Sequence, residues 1–349
     1  MVKRVGNLFE EFVSMKNLLE AERSAAKGKR YRPDIRKFEE NLVENLESIQ
    51  TDLIDGTYHT SDYRIFTINE NGKEREVADL PFRDRVVHWA LMNIINKIML
   101  KTLIKHTYAA LPKRGMHKAH SDLMRCLRKK DAKYYLKLDI KKYFPSIDKQ
   151  LMYDIIARKI KDVWILALCR QIIDEYPLEG IPIGNYTSQY FANFYLSSID
   201  HYMKERFHCK YYFRYMDDIV IVGWSKPWLH RALRRLQRLT DGLGLTIKRN
   251  WCIRPVEEGI DFVGFVSYPT HSLIRKRTKN RIKKICKRAF QHLKEDGKLI
   301  EGDIGAINSY YGFTFYCDCK NLFKKIGLFR LYVYIHSDNP EMLSPKHLT

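Results

Sequence analysis

The chain has no stretch approaching the ~18 uninterrupted apolar residues that a membrane-spanning helix requires, so such a span is excluded. It also lacks the beginning of an exported protein. In MVKRVGNLFEEFVS the acids Glu10 and Glu11 fall where a signal peptide needs its apolar stretch, so export is not expected. No CxxC pair occurs among the seven cysteines, at 126, 169, 209, 252, 286, 317 and 319. A scattered, odd set supports neither a disulfide framework nor a zinc site and fits the reduced thiols of a cytoplasmic protein. Cys317 and Cys319 are the one close pair and read as ordinary strand or loop residues. Acids are also in short supply, with 41 Asp and Glu against 62 Lys and Arg, for a formal net charge of +21. An excess that large points to a polyanionic partner, most simply nucleic acid. Internal repeats and low-complexity linkers are absent as well.

What is present is a chain of 349 residues, 45% hydrophobic and 13% aromatic, enough for a real core and two or three subdomains. Apolar positions recur with helical spacing through the first thirty residues (Leu8, Phe9, Phe12, Met15, Leu18, Leu19), and a second helix follows Pro33 through Phe38, Leu42, Val43, Leu46 and Ile49. Residues 63–68 and 75–78 read as strands around Asn71-Gly72, a hairpin turn. The pattern predicts helices over 82–104, 117–130, 149–174 and 227–241, and strands over 133–139, 211–216, 219–223 and 260–266. Strands and helices interleave without a regular βαβ period, so the fold class is α+β. Residues 271–300 hold eleven Lys or Arg and only two acids on a helical framework (Ile282, Ile285, Phe290, Leu293). That density favours a helix lying on a nucleic-acid backbone over a merely solvated face.

The most informative stretch is Tyr211-Tyr-Phe-Arg-Tyr-Met-Asp-Asp-Ile-Val-Ile-Val222, where two adjacent acids interrupt an apolar, β-prone run. They belong at the tight turn of a buried hairpin, a costly place for carboxylates unless something cationic neutralises them. A second apolar strand, Tyr134-Tyr-Leu-Lys-Leu138, ends in Asp139. Strand-end carboxylates from two segments, brought side by side, make an oxygen pocket suited to Mg²⁺. Two such ions ~3.5–4 Å apart can activate a 3′-hydroxyl and stabilise a leaving pyrophosphate. An Asp-Asp pair alone is common in turns and would not carry this reading.

These segments resemble the reverse transcriptases. Asp139-Ile-Lys-Lys-Tyr-Phe144 is similar to motif A of that family and Tyr215-Met-Asp-Asp218 to motif C in its YxDD form. Gly180-Ile-Pro-Ile-Gly-Asn-Tyr-Thr-Ser-Gln189 lies between them and is similar to motif B. Leu80-Pro-Phe-Arg-Asp-Arg-Val-Val87 resembles the fingers motif of bacterial and group II intron enzymes, while Gly244-Leu-Thr-Ile-Lys248 and residues 259–266 resemble motifs D and E. The motifs run in the family's order from about residue 58 to 268. Motif B departs from the usual form, with Ile183-Gly184 for Gln-Gly and Ser188-Gln189 for Ser-Pro. The IGxxxSQ form, with Tyr108-Ala-Ala and Arg114-Gly-Met-His-Lys118 upstream, resembles the enzymes of diversity-generating retroelements, although Ala110 stands where their triplet usually has Cys.

The resemblance implies a right-hand polymerase whose palm carries an antiparallel sheet. It places N-terminal helices and fingers at 1–132, palm at 133–148 and 181–268, further fingers and palm helices at 149–180, and a basic helical thumb at 269–349. Nothing remains for an RNase H, integrase, endonuclease or maturase domain of usual size, and the length argues against a group II intron protein. Asp139, Asp217 and Asp218 are the implied catalytic acids. They would hold two Mg²⁺ ions, or Mn²⁺ in their place, with the Ile140 carbonyl as a backbone ligand and Asp218 either a looser ligand or a structural partner. The implied nucleotide contacts are Lys73 and Arg75 on the triphosphate, Phe144 as the ring crowding a ribose 2′-hydroxyl, Ile183, Gly184 and Gln189 of motif B, and Lys248 assisting pyrophosphate departure. Gly184 would also let backbone approach a base or sugar closely. Ile183 cannot make the hydrogen bond that a Gln there would make, which removes one source of discrimination at the nascent pair. Arg83 and Arg85 would contact template phosphates or brace Asp84, and Arg281, Lys284 and Arg288 would bind the template–primer backbone.

The family implies RNA-directed DNA synthesis on a template-repeat RNA, error-prone opposite adenine, in mutagenic retrohoming of a variable gene region. Its partners would be template RNA, primer and cDNA, dNTPs and a small basic accessory variability protein, expected to be oligomeric, with the enzyme cytoplasmic, bacterial or phage-encoded, and no membrane involved. Two alternatives stand beside this. One is a retron or phage-defence reverse transcriptase, disfavoured by the SQ ending of motif B. The other is a non-catalytic RNA-binding scaffold, disfavoured by the three intact acids.

Overall fold

The structure, a computed structural model, describes residues 4–69, 72 and 74–337. Four short helices come first: α1 (Phe9–Val13), α2 (Met15–Ala26), α3 (Pro33–Glu40) and α4 (Leu42–Asp55). Periodicity alone reads two longer ones. The first is divided at Ser14, whose extended backbone and hydroxyl cap the Asn17 N–H of α2, and the second at Asn41 (φ −123°, ψ 48°). The strands β1 (Arg64–Asn69) and β2 (Glu74–Asp79) pair antiparallel from Arg64↔Asp79 to Asn69↔Glu74. In their connection Gly72 takes φ +77° and donates its N–H to the Asn69 side chain at 2.8 Å, while Asn71 and Lys73 lie outside the described residues.

Next come α5 (Phe82–Thr102), α6 (Met116–Leu127), β3 (Tyr134–Asp139), α7 (Lys149–Ala157), α8 (Val163–Asp174), α9 (Tyr186–Tyr195) and α10 (Ser197–His201). The single helix expected over 149–174 is broken at 158–162. There Asp162 caps α8 through the Ile165 N–H and also accepts the Leu8 and Phe9 N–H groups, and Ile160 bridges to Val5. An apolar helical pattern continues across this break, so only the cap residue betrays it. The hairpin β4 (Tyr211–Tyr215) and β5 (Asp218–Gly223) leads into α11 (Lys226–Asp241) and β6 (Cys252–Pro255). The strand expected over 260–266 is two, β7 (Ile260–Phe262) and β8 (Phe265–Ser267), turning through Val263 (φ 45°) and Gly264 (φ 91°), both left-handed as a tight hairpin requires. After β9 (Ser272–Ile274) the chain is helical: α12 (Lys276–Glu295), α13 (Glu301–Tyr311), α14 (Lys320–Lys325) and α15 (Leu328–His336).

The strands form a hairpin β1-β2, a four-stranded sheet in the order β4-β5-β3-β6 and a three-stranded sheet β7-β8-β9, with β3–β6, β4–β5, β7–β8 and β8–β9 antiparallel. None of the described helices is long and apolar enough to cross a membrane. The chain divides into two compact units, one holding residues up to Leu111 with Leu138–Cys209 and Ala232–Asn250, the other Pro112–Lys137, Lys210–Arg231 and Trp251 onward.

The first unit is built around α5, whose Val86, Val87, Ala90, Leu91, Met92 and Ile95 are fully buried against α2 and α9. Each of these side chains except Ala90 contributes about 1.5–3 kcal/mol. The second unit packs Tyr212, Val220 and Ile221 of the β4–β5 hairpin, Phe262 and Phe265 of β7 and β8, and Ile282, Ala289, Ile307 and Leu331 of its helices. Asp303 is wholly buried in this second core, where Arg288 neutralises it (Nε to Oδ1, 2.9 Å) and His292 Nδ1 lies 2.8 Å from Oδ2.

His88 is 1% exposed between α5 and α9, with Nδ1 3.3 Å from the Thr187 hydroxyl and Nε2 without a partner among the described residues. Burial, partly offset by Asp84, pushes its pKa down to about 4. A neutral imidazole is therefore what the fold holds. Its stabilisation is complete above the ordinary histidine value and is lost as pH falls from there toward 4. Urea unfolding at pH 7.5 and pH 5 should show a loss of about 2 kcal/mol in the wild type that His88→Gln lacks. Equal losses in the two proteins would show that His88 does not titrate as a buried neutral group.

Candidate active site

The β4–β5 hairpin is closed by the pair Tyr215↔Asp218, leaving Met216 and Asp217 as its two-residue turn. Met216 adopts φ 55°, a left-handed conformation that costs a side-chain-bearing residue about 1–2 kcal/mol. Arg214 helps hold it there: its guanidinium is fully buried under the turn and donates to the Met216 carbonyl at 3.1 Å. Ile219, Val220, Ile221 and Val222 anchor the following strand in the core, so Asp217 and Asp218 are set half-buried at the tip. The Asp218 Oδ2 lies 3.1 Å from Nζ of Lys137, on the neighbouring strand β3.

Asp139 ends β3. The chain beyond it pairs with the segment around Lys248: Ile140 bridges Ile247, the Lys248 N–H donates to the Asp139 carbonyl at 2.8 Å, and the Lys141 N–H to the Thr246 carbonyl at 2.8 Å. This pairing brings the Lys248 ammonium onto the Asp139 carboxylate as an ion pair, each side chain about one-third exposed. Lys248, expected at the leaving pyrophosphate, thus stands against the carboxylate expected to bind metal.

Motifs A and B are joined through backbone. Phe144 is half-exposed, its carbonyl accepts the Ile181 N–H at 3.1 Å, and its ring meets Tyr143 edge-on at 5.7 Å. The Ile183 carbonyl accepts the Ala78 N–H of β2 at 2.8 Å. Gly184 has φ +128°, and a Cβ on it would lie 2.3 Å from the Ala78 carbonyl oxygen. The close approach that demands glycine here is therefore to the chain's own strand. Asn185 donates to the Tyr63 hydroxyl at 3.0 Å, and Gln189 is exposed on α9.

The expected cations divide into two groups. Arg75 is exposed on β2, and Arg281 and Lys284 are exposed on α12, where they line an open depression of about 560 Å³ with Arg275, Lys276, Arg277 and Asn280. Arg83, Arg85 and Arg288 are instead engaged in ion pairs, the first two partly buried and Arg288 itself still half-exposed. Arg83 pairs with Asp52, Arg85 with Asp34 (and Asp79 at 4.0 Å), and Arg288 with the buried Asp303. Nor do Arg83 and Arg85 brace Asp84, which accepts the Tyr58 hydroxyl at 2.7 Å and the Ser61 N–H at 3.2 Å. The Tyr58 hydroxyl is pushed far above its ordinary pKa by burial and by Asp84.

Two residues escaped the sequence reading, Lys137 and Arg214. Alternation along β3 puts Lys137 on the same face as Asp139, and an arginine inside an apolar strand is a marked exception; both features are visible in the sequence. Among the described residues no three His, Cys, Asp or Glu side chains gather into a metal cluster of their own. The donors offered by Asp139, Asp217, Asp218 and the Ile140 carbonyl are nonetheless the hard oxygens that Mg²⁺ takes, and Asp139 and Asp218 each hold a cation already. On donor chemistry, each of these oxygens suits a divalent ion. All seven cysteines are free thiols.

Residues 67–266 match the family model described as reverse transcriptase (RNA-dependent DNA polymerase). Protein YkfC of Escherichia coli (strain K12) is 24% identical over 180 residues, 48% of this chain and 47% of that protein. The group II intron-encoded protein LtrA of Lactococcus lactis subsp. cremoris is 26% identical over 171 residues, 46% of this chain and 28% of LtrA. The chain therefore aligns with less than half the length of either relative. Among solved structures, apo telomerase from Candida Tropicalis superposes with a TM-score of 0.53 at 11% identity, over 83% of this chain and 62% of that one, a likeness of fold alone.

The close approach at Gly184 yields a paired test. Gly244 also has positive φ (+70°) but open space around its Cα, so Gly244→Ala should cost only the left-handed penalty of about 1 kcal/mol. Gly184→Ala should cost distinctly more, about 2–3 kcal/mol, because Ala78 must also move. Equal costs in urea unfolding would show that motif B is not pressed on β2.

Proposed function

Because the chain belongs to the reverse transcriptase (RNA-dependent DNA polymerase) family, we propose that it is a right-hand RNA-directed DNA polymerase that makes adenine-mutagenic cDNA from a template-repeat RNA to diversify a variable gene region. The observation that carries the polymerase reading is the turn of the β4–β5 hairpin, which presents Asp217 and Asp218 at a strand tip with cations built in around them. Fingers are assigned to 1–132 and 149–180, palm to 133–148 and 181–268, and thumb to 269–349.

Asp139 and Asp217, with the Ile140 carbonyl, would hold Mg²⁺, which when bound supplies activation of the primer 3′-hydroxyl and stabilisation of the leaving pyrophosphate. Phe144, half-exposed just beyond motif A, crowds the sugar and so selects deoxynucleotides. Arg75 reaches the triphosphate from the exposed hairpin. Lys248 carries a proton beside Asp139 that the departing pyrophosphate can take. Arg281 and Lys284 track the template–primer backbone. The diversifying role rests on motif B, where Ile183 stands in place of the Gln of accurate relatives, with Ser188-Gln189 at the motif's end. In this role the chain works in the cytoplasm with template RNA, primer and a basic accessory protein, bridged by shared RNA.

Primer extension on poly(rA)–oligo(dT) with Mg²⁺ tests the reading. Asp217→Asn should abolish extension while leaving RNA binding nearly intact, and activity within about tenfold of wild type would contradict the metal role of Asp217.

Fidelity tests the finer assignment. Ile183→Gln should lower misincorporation opposite template adenine more than opposite other bases, by about fivefold if the restored contact is worth ~1 kcal/mol. Sequencing of the cDNA reads this directly. A wild-type spectrum without excess errors at adenine would instead favour an enzyme of the retron or phage-defence kind.

A further inference from the structure

We propose that Lys137 is a positioning residue for the polymerase reaction, pinning the Asp218 carboxylate of the β4–β5 turn to strand β7 and, through Asp261, to the start of helix α12. The inference rests on the polymerase reading above and deepens it. Alternation along β3 places Lys137 on one face with Tyr135 and Asp139, while Leu136 and Leu138 (0% and 2% exposed) fill the core on the other. Its side chain is only 25% exposed, and its stem runs past Phe262, whose ring centre lies 5.9 Å from Nζ. A lysine serving solubility would not be held this way.

An ammonium has three N–H donors. One of those on Lys137 points at Asp218 Oδ2, 3.1 Å away, and another is donated to the main-chain carbonyl of Asp261 in β7. Asp261 is itself fixed: its carboxylate accepts from Arg275 Nε at 2.6 Å, and the Arg275 N–H donates to the Gly264 carbonyl at 3.0 Å. Arg275 immediately precedes α12, the helix that carries Arg281 and Lys284. A continuous chain of contacts, Asp218–Lys137–Asp261–Arg275, therefore runs from the acidic turn to the basic helix. Because the hydrogen bond to β7 is made by a backbone carbonyl, the ammonium is aimed by the strand itself and does not depend on another mobile side chain. Lys137 thereby sets the direction in which Asp218 presents its carboxylate while lowering the cost of keeping that charge half-buried.

Two measurements on the full chain test this: single-nucleotide incorporation on an RNA template–DNA primer with Mg²⁺, and amide hydrogen exchange on the metal-free protein. Lys137→Gln, which keeps polarity but not charge, should lower kcat by about tenfold or more and leave the KM for dNTP unchanged. It should also speed exchange at 216–219 and 260–262 without altering 64–69. Lys137→Arg, which keeps the charge, should return kcat to within about threefold of wild type. A kcat for Lys137→Gln within about threefold of wild type would overturn the proposal, as would an Arg variant as impaired as the Gln variant. Should Lys137→Gln fail to fold, the Arg variant decides alone: folded but with less than about a tenth of wild-type kcat, it contradicts the proposal. Failure of the wild type itself to extend a primer would strike the polymerase reading. The exchange measurement, made without metal or nucleotide, would still show whether Lys137 pins the turn.

Discussion

Carboxylates at the ends of apolar strands persist only where positive charge stands against them, and that requirement shapes the strands that carry the candidate site. Lys248 answers it for Asp139 through a backbone pairing that leaves the ammonium little choice of position. Lys137 answers it for Asp218 from the neighbouring strand. Arg214 adds a buried positive charge beneath the turn while spending an N–H on the carbonyl of a left-handed residue. The acids cannot be read apart from these cations. A chain that had no use for strand-end acids could replace such charged clusters with apolar packing at little cost or with a gain in stability.

The same economy explains why basic residues that look alike in sequence differ in the structure. Arg83, Arg85 and Arg288 each find a carboxylate from another helix, Asp52, Asp34 and Asp303, and brace helix against helix, Arg288 from an exposed position over its buried partner. Arg75, Arg281 and Lys284 lie on exposed faces. With 62 basic and 41 acidic residues, the excess that gives the chain its +21 charge cannot be paired internally and must face solvent or a polyanion.

Much of this was legible in the sequence, for local reasons. The β4–β5 hairpin announced itself because an apolar β-prone run was cut by two acids, and β1 and β2 because Asn71-Gly72 sits between alternating stretches. The ordered motifs carried the family, and the match over 67–266 agrees with them. What was hidden depended on contacts distant in sequence. The break at 158–162 is decided by Asp162 meeting the N-terminal segment, and the close approach at Gly184 by a strand more than a hundred residues upstream. The turn at 263–264 is hidden because Gly264, a left-handed position, sits inside an otherwise continuous strand pattern. The partners of Arg83, Arg85 and Arg288 were invisible for the same reason, since a charge pattern on one helix says nothing of the helix that will face it.

Asp139 and Asp217 are proposed to bind a divalent cation. The most direct test is a Mn²⁺ titration of the metal-free chain, followed by electron paramagnetic resonance, comparing wild type with the double variant Asp139→Asn, Asp217→Asn. The account predicts that the wild type sequesters Mn²⁺ and that the folded double variant leaves it free in solution. Equal binding by the two proteins would contradict it.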